Sequence, residues 1–325
     1  MRITVLSGGI GGATFVRGLL DEVGDDADVT VVGNTADDIW LFGLKVCPDL
    51  DTLMYTLGGG IDAERRWGRA DETWSVKEEL AAYGAQPTWF GLGDRDVATH
   101  LVRTQMLQAG YSLTDVTRAL CVRWDPGVTL LPMTDHRVET HVVVEDGGRR
   151  SAVHFQEYWV RMRASVPAHD VVMIGIDDAE PAPGVLEAIA EADVVVLPPS
   201  NPVVSIGPVL AVRGIADALR ATAAPVVGVS PIIGGGAVRG MADQLLTGLG
   251  LEVSASAVAT RYGARARGGV LDGWLVDTSD ASQLPVVAEA GLEGRAVPLY
   301  MSDPATTRTL AADTLALARE IGTRS

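Results

Sequence analysis

Six short runs, at residues 3–6, 29–32, 171–176, 194–197, 226–229 and 297–300, are rich in β-branched residues and nearly all apolar. A strand that is apolar on both faces must be covered on both, as in a parallel sheet with a layer of helices on each side. Helical patterns alternate with these runs near both ends of the chain, so the sequence predicts an α/β fold: a doubly wound, mostly parallel, Rossmann-like sheet. At 325 residues the chain is long enough to give such a sheet a substantial core.

The middle departs from that rhythm. Ser75 and Glu78 have capping-box spacing and Gly84 can close the helix they open. Residues 97–109 read as a second helix ended by Gly110, and Ser112 with Asp115 starts a third that runs to about Trp124. Two alternating segments, 138–144 and 151–157, flank Asp146-Gly147 as a hairpin. The expectation is a single domain over 1–325 that carries an inserted helical and hairpin subdomain at 62–168.

Composition excludes several classes. With 47% apolar and 21% charged residues the chain is that of an ordinary soluble globular protein. Its net charge of −16 repels phosphate polymers, which argues against nucleic acid and membranes as partners. No apolar run is long enough to span a bilayer, and Met1-Arg2 leads straight into a strand rather than a secretory leader. The two cysteines, Cys47 and Cys121, have no CxxC or zinc spacing and suit a reducing compartment, so a cytoplasmic protein is expected. There is no Ser-His-Asp order, HExxH or Walker sequence, which leaves covalent hydrolase and P-loop chemistry without support.

In an open parallel sheet ligands bind outside the carboxyl ends of the strands, so the residues after each strand carry the functional signal. The first strand is followed by Gly8-Gly9-Ile10-Gly11-Gly12 and a helix over 13–20, whose amide end suits a phosphate; Gly9, Gly11 and Gly12 are candidate phosphate contacts. Thr14 stands where the third glycine of a dinucleotide fingerprint belongs, and the second strand ends in Gly33-Asn34 rather than an acid, so a nicotinamide enzyme ranks low. Asp37, Asp38, Asp49 and Asp51 then crowd within fifteen residues. Carboxylates gathered at one loop edge repel one another unless a cation or a donor-rich ligand neutralises them. The reading is an oxygen-ligand magnesium site on Asp37 and Asp51, with Asp49 or Asp51 alternatively capping a helix over 52–57.

Further polar turns follow other strands. Arg95 in Gly91-Leu92-Gly93-Asp94-Arg95-Asp96 can bond or stack on a ligand, or pair with a neighbouring aspartate, while His100 is given no role. Most of the seven tryptophans should pack in the core, but Trp40 lies close enough to the acids to stack on a flat heterocycle. Pro198-Pro199-Ser200-Asn201-Pro202 presents Ser200 and Asn201, with Ser205 close behind. Ser230-Pro231-Ile232-Ile233-Gly234-Gly235-Gly236 places Ser230, Gly234 and Gly235 before a helix carrying Arg239. Ser302 or Asp303 reads as a helix cap.

The stretches LSGGIGGATF, NTADDIW, CPDLDTLMYTLGGGID, WFGLGDRDVATHLVR, PPSNPVVSIGP and SPIIGGGAVRGMAD, in that order over nearly the whole chain, resemble the 2-phospho-L-lactate transferase family of coenzyme F420 biosynthesis. The likeness is to the actinobacterial form, which uses a phosphoenolpyruvate-derived donor. The resemblance implies a magnesium-dependent transferase that moves a phosphoenolpyruvyl or 2-phospholactyl group from a guanosine diphosphate-activated donor to a hydroxyl of the deazaflavin Fo. The products would be dehydro coenzyme F420-0 and GMP. It further implies that Asp37 and Asp51 hold the metal, that Asp51 and Arg95 lie at the Fo site, that Ser200, Asn201 and the 230–236 loop receive the guanosine nucleotide, and that the protein is a homodimer. The donor stays open among phosphoenolpyruvate, phospholactate and phosphoglycerate forms, and the hydroxyl proton is assigned to Asp38 or Asp51. The alternative is a non-catalytic nucleotide-sugar-binding regulator of the related gluconeogenesis-factor branch.

Overall fold

The protein is described by a computed structural model that covers residues 1–238 and 240–323. β1 (Arg2–Ser7), α1 (Gly9–Val23) and β2 (Asp28–Gly33) open the chain, followed by a small hairpin of β3 (Ile39–Leu41) and β4 (Leu44–Val46) and by α2 (Pro48–Leu57). Three helices come next: α3 (Ser75–Ala82), α4 (Asp94–Gln108) and α5 (Leu113–Trp124). After β5 (Thr129–Pro132) the chain forms β6 (Glu139–Asp146), β7 (Arg149–His154) and β8 (Ala168–Ile174). The second half runs α6 (Val185–Ala190), β9 (Val194–Leu197), α7 (Ile206–Ala211), α8 (Ile215–Ala221), β10 (Val226–Val229), β11 (Ile232–Ile233), β12 (Gly236–Ala237), α9 (Ala242–Gly248) and α10 (Ala255–Tyr262). It ends with β13 (Gly273–Asp277), α11 (Leu284–Glu289), β14 (Glu293–Val297) and α12 (Pro304–Gly322).

Seven strands form the central sheet in the order β14-β13-β10-β9-β1-β2-β5, every neighbouring pair parallel. The β-branched runs form it because alternate side chains feed two separate cores. Val194 and Val196 pack with Phe15, Leu19, Leu50 and Leu315 on the side of α1, α2 and α12. Val195 and Leu197 pack with Val185, Ile206, Leu219 and Leu245 on the opposite side. The winding reverses at β1: the chain proceeds to β2 and β5 on one side, then returns to β1's other edge as β9. The crevice outside the carboxyl ends of β1 and β9 is thus the topological switch point, where such sheets bind ligands.

Several expectations are corrected. The run at 171–176 is not a central strand: its first four residues fall in β8, which pairs antiparallel with β6 in a separate sheet, β7-β6-β8. There Val172 and Ile174 are exposed, so the run's apolar character reflects a strand covered on one face only. The last central strand, β14, ends at Val297, where the predicted 297–300 run begins. The span 62–168 is not one continuous insertion, because β5 within it returns to the central sheet as the parallel partner of β2. Ser75 does not cap α3; the Asp94 carboxylate does so from the start of α4, accepting from the amides of Ser75 at 3.1 Å and Val76 at 2.9 Å. Ser112 does cap α5, and Asp303 caps α12 in a capping box with Thr306. Among the described residues no helix is long and apolar enough to cross a membrane.

Candidate active site

A cavity of about 580 Å³ opens at the switch point. Its floor is the start of α1. Gly8 is extended and Gly9 takes φ +67°, a left-handed value that favours glycine. The glycines also permit close approach. A Cβ on Gly8 would stand 2.6 Å from Asp49 Oδ2, one on Gly11 2.6 Å from the Pro199 carbonyl oxygen, and one on Gly12 2.6 Å from Ser200 Oγ. Hence α1 begins pressed against both the loop after β9 and the start of α2. Gly9 and Gly11 line the cavity, whereas Gly12 lies behind it. The Gly8 amide donates to Ser200 Oγ at 3.3 Å, and that hydroxyl donates back to the Gly8 carbonyl at 2.8 Å. The Gly9 amide bonds the Asp49 carboxylate.

The acids occupy two elements. Asp37 and Asp38 follow β2, and Asp49 and Asp51 sit in the first turn of α2, where the amide end of a helix favours negative charge. Neither caps the helix: Cys47 is the N-cap residue, no side chain bonds there, and Pro48 fixes the first turn. Asp37, Asp49 and Asp51 are buried yet line the cavity. Asp38 is outside the cavity lining, its carboxylate 3.0 Å from Lys45 Nζ and accepting from Cys47 Sγ at 3.1 Å. Asn34 donates to Asp49 Oδ2 at 2.9 Å and to the Val204 carbonyl at 3.2 Å, which ties the acidic loop to the loop after β9.

Electrostatics in this corner are unbalanced. Burial, then the charges of Asp49 and Asp38, hold the Asp37 carboxyl well above the ordinary carboxylate range, and its buried Oδ1 has no hydrogen-bond partner among the described residues. Burial pushes Asp49 up to about 6 against the opposing bonds from Asn34 and Gly9. Burial also raises Asp38 despite Lys45. Among the described residues no three His, Cys, Asp or Glu side chains form a ready-made metal cage. Magnesium is normally held by one or two carboxylates with waters and phosphate oxygens, so these acids, with the orphaned Asp37 oxygen, fit a cation that shares its shell with a ligand.

A second network backs the acids from α4. Arg103 donates from Nη1 to Asp51 Oδ2 at 3.1 Å and from Nη2 to Asp51 Oδ1. Its Nη1 also lies 3.0 Å from His100 Nδ1, and His100 Nε2 faces Asp96 Oδ2 at 3.3 Å. Tyr55 donates to Asp96 Oδ1 at 2.7 Å. Burial works against the charge on Asp96, but the bonds from His100 and Tyr55 outweigh it and lower that carboxyl. His100, Asp96 and Tyr55 all line the cavity. Apart from Asp51, the sequence alone gives no member of this network a site role. The available signal was the i, i+4 and i, i+3 spacing of Asp96, His100 and Arg103 along one face of α4.

The remaining candidates separate into two groups. Ser200, Asn201, Ser205 and Ser230 line the cavity. Asn201 Oδ1 accepts from the amides of Val203 and Val204 at 2.9 and 3.2 Å, and the Ser230 hydroxyl donates to the Ile232 carbonyl at 2.9 Å. Arg95 and Trp40 are not among the lining residues. The Arg95 side chain is 52% exposed and lies 3.8 Å from Asp71, because α4 turns Asp96 inward and its neighbour outward. Trp40 is 43% exposed on the β3–β4 hairpin. Gly234 and Gly235 do not open a helix. With φ +59° and +78° they form the tight turn between β11 and β12, while Ile233 and Val238 line the cavity. Arg239 lies outside the described residues.

Comparison with known proteins agrees with this architecture. A Bacillus halodurans protein of the UPF0052 family has the same fold, with a TM-score of 0.60 at 16% identity over 96% of this chain and 99% of that one. A phosphoenolpyruvate transferase of Streptomyces coelicolor is 64% identical over 321 residues, covering 99% of both chains. One of Streptomyces avermitilis is 65% identical over 323 residues, 99% of this chain and all of its own, and one of Thermobifida fusca 61% identical over the full length of both. Residues 3–302 match the family model described as 2-phospho-L-lactate transferase CofD, and the chain belongs to that family.

Proposed function

We propose that this protein transfers a phosphoenolpyruvyl group, or its 2-phospholactyl counterpart, from a guanosine diphosphate-activated donor to a hydroxyl of Fo, releasing GMP. Family membership and full-length likeness to phosphoenolpyruvate transferases support a transferase. The observation that carries the reading is the meeting of Asp37, Asp49 and Asp51 with the glycine-rich start of α1 in one cavity at the switch point. Phosphoryl transfer asks a protein for positioning and charge neutralisation rather than a covalent nucleophile, and this cavity offers acids, amides and hydroxyls.

In this reading Asp37 and Asp51 hold a magnesium ion, which when bound neutralises charge on the donor's diphosphate. The loops carrying Ser200, Asn201, Ser205 and Ser230 receive the nucleotide and fix the diphosphate. The Fo hydroxyl oxygen forms a bond to the phosphorus that carries the three-carbon group, the bridging P–O bond breaks, and the electron pair leaves with GMP. Asp38 is committed to Lys45 and Cys47, and Asp51 to Arg103 and, in this reading, to the metal. Asp49, a lining carboxylate pushed up to about 6, is therefore assigned the hydroxyl proton, since a base titrating near the working pH transfers protons best. Incubation of the purified chain with Fo, magnesium and guanylylated phosphoenolpyruvate is expected to yield GMP and dehydro coenzyme F420-0 in equal amounts by mass spectrometry. Absence of GMP overturns the assignment.

A further inference from the structure

We propose that Arg66 recognises the carboxylate of the donor's three-carbon group, and so selects acid-bearing donors over plain guanosine diphosphate. The proposal rests on the donor reading above. Arg66 sits in a compact loop at the cavity wall. Asp62 Oδ1 accepts from the amides of Glu64 and Arg65 at 3.1 and 2.7 Å, and the Asp62 carbonyl accepts from the Arg66 amide at 2.8 Å. The Gly68 carbonyl accepts from the Asp62 amide at 3.2 Å, and Ile61 and Arg69 close the loop as an antiparallel bridge. These bonds hold Arg66 at φ +61°, a left-handed backbone that a long side chain rarely adopts. Strain kept by surrounding bonds beside a cavity points to a functional placement.

Arg65 and Arg66 both line the cavity but are differently committed. Arg65 pairs with Asp62 Oδ2 at 2.9 Å, donates to the Arg69 carbonyl at 3.0 Å, and lies 5.6 and 5.4 Å from the ring centres of Trp67 and Trp74. The Arg66 guanidinium has no hydrogen bond or ion pair to any described residue. The acids that also line the cavity, Asp37, Asp49, Asp51 and Asp96, have the wrong sign for an anionic donor. Under the reading above, the diphosphate is matched by the bound cation and the loops around α1, which leaves the donor's carboxylate without a counter-charge. A guanidinium fork meets a carboxylate with two parallel bonds, a geometry an ammonium cannot supply.

Calorimetric titration of the full chain with guanylylated phosphoenolpyruvate and, separately, with GDP tests this. Arg66→Ala is expected to weaken binding of the first about 10- to 100-fold, as loss of a charged hydrogen-bonded pair does, and to leave GDP within about twofold. Arg66→Lys should recover only part of the loss. Arg66→Gly relieves the left-handed backbone, and it should show the same selective loss of carboxylate-donor binding as Arg66→Ala with no loss of thermal stability, which guards against a folding artefact. Equal weakening of both ligands would assign Arg66 to the diphosphate and overturn the proposal, as would no change in either, or a wild-type chain that binds the two ligands equally. Because binding is read without turnover, a wild-type chain that prefers the carboxylate donor but releases no GMP supports the Arg66 assignment and removes the transfer reaction instead.

Discussion

Arg103 grips Asp51 with both terminal nitrogens, although the two residues lie on different helices and 52 positions apart, and each is almost wholly buried. A carboxylate held at two points cannot swing, so Arg103 fixes the direction in which Asp51 meets the cavity. Arg103→Ala strands a buried charge and is expected to cost about 3–5 kcal/mol in urea unfolding. Arg103→Lys keeps the charge but loses the two-point grip, with an expected cost of about 1.5–3 kcal/mol and a larger proportional loss of turnover than of stability. A lysine variant with wild-type turnover contradicts the positioning role.

Asp37 stands beside two other acids with an unpartnered oxygen, so it opposes folding while serving the site. Asp37→Asn removes the repulsion at constant volume. Its unfolding midpoint should be unchanged or higher, by up to about 1 kcal/mol, while turnover falls by about 10²- to 10³-fold. Parallel urea melts and GMP-release assays check both signs, and a joint loss of stability and activity would point to a structural role.

The raised carboxyl of Asp49 sets a pH dependence. Its folded value of about 6 lies above an unfolded value near 3.9, so the folded state holds a proton that the unfolded state has already released. The stability of the wild type relative to Asp49→Asn is therefore greatest below about pH 4 and is lost as pH rises through about 6, by about 3 kcal/mol in metal-free protein. A cation held by Asp37 and Asp51 would favour the charged form of the neighbouring Asp49, so magnesium affinity should climb over the same window with release of protons, and magnesium should restore stability at neutral pH. Thermal melts of both proteins from pH 4 to 7.5, with and without magnesium, read the effect; a difference independent of pH contradicts it.

Two glycines separate close packing from turn geometry. A methyl group on Gly11 meets the Pro199 backbone, so Gly11→Ala should push α1 away from the loop after β9, cost about 1–3 kcal/mol and weaken GDP binding. Gly234 has open space around it but φ +59°, so Gly234→Ala should cost about 1–2 kcal/mol with nucleotide affinity retained. Calorimetric binding beside thermal melts distinguishes them.

The parts of the fold visible in the sequence are those whose signal is local. The strands β1, β2, β9 and β10 are compact β-branched runs, and Ser112 and Asp303 cap helices that begin immediately after them. The strands β5 and β13 escape because one is a four-residue segment ending in Pro132 and the other starts with Gly273, so neither has the expected run. β8 misleads because an apolar run does not state which of its faces is covered. The glycine turn, Asp37 and the serine loops are legible as candidate cavity residues because each follows a parallel strand, whereas Asp49 and Asp51 follow the antiparallel β3–β4 hairpin and stand out by their crowding alone. The Asp51–Arg103 pair and the Asp94 cap of α3 join residues distant in the chain, and no local spacing announces them. Arg95 stands one helical position from Asp96, which lines the cavity, and its own side chain turns outward to Asp71, a difference that loop spacing does not reveal.

Crystals of the protein soaked with manganese as a magnesium substitute, together with GDP, test the central claim most directly. An anomalous peak about 2.0–2.2 Å from carboxylate oxygens of both Asp37 and Asp51, in contact with the diphosphate, is the predicted result. A peak held by other residues, with Asp37→Asn still transferring the three-carbon group at the wild-type rate, contradicts it.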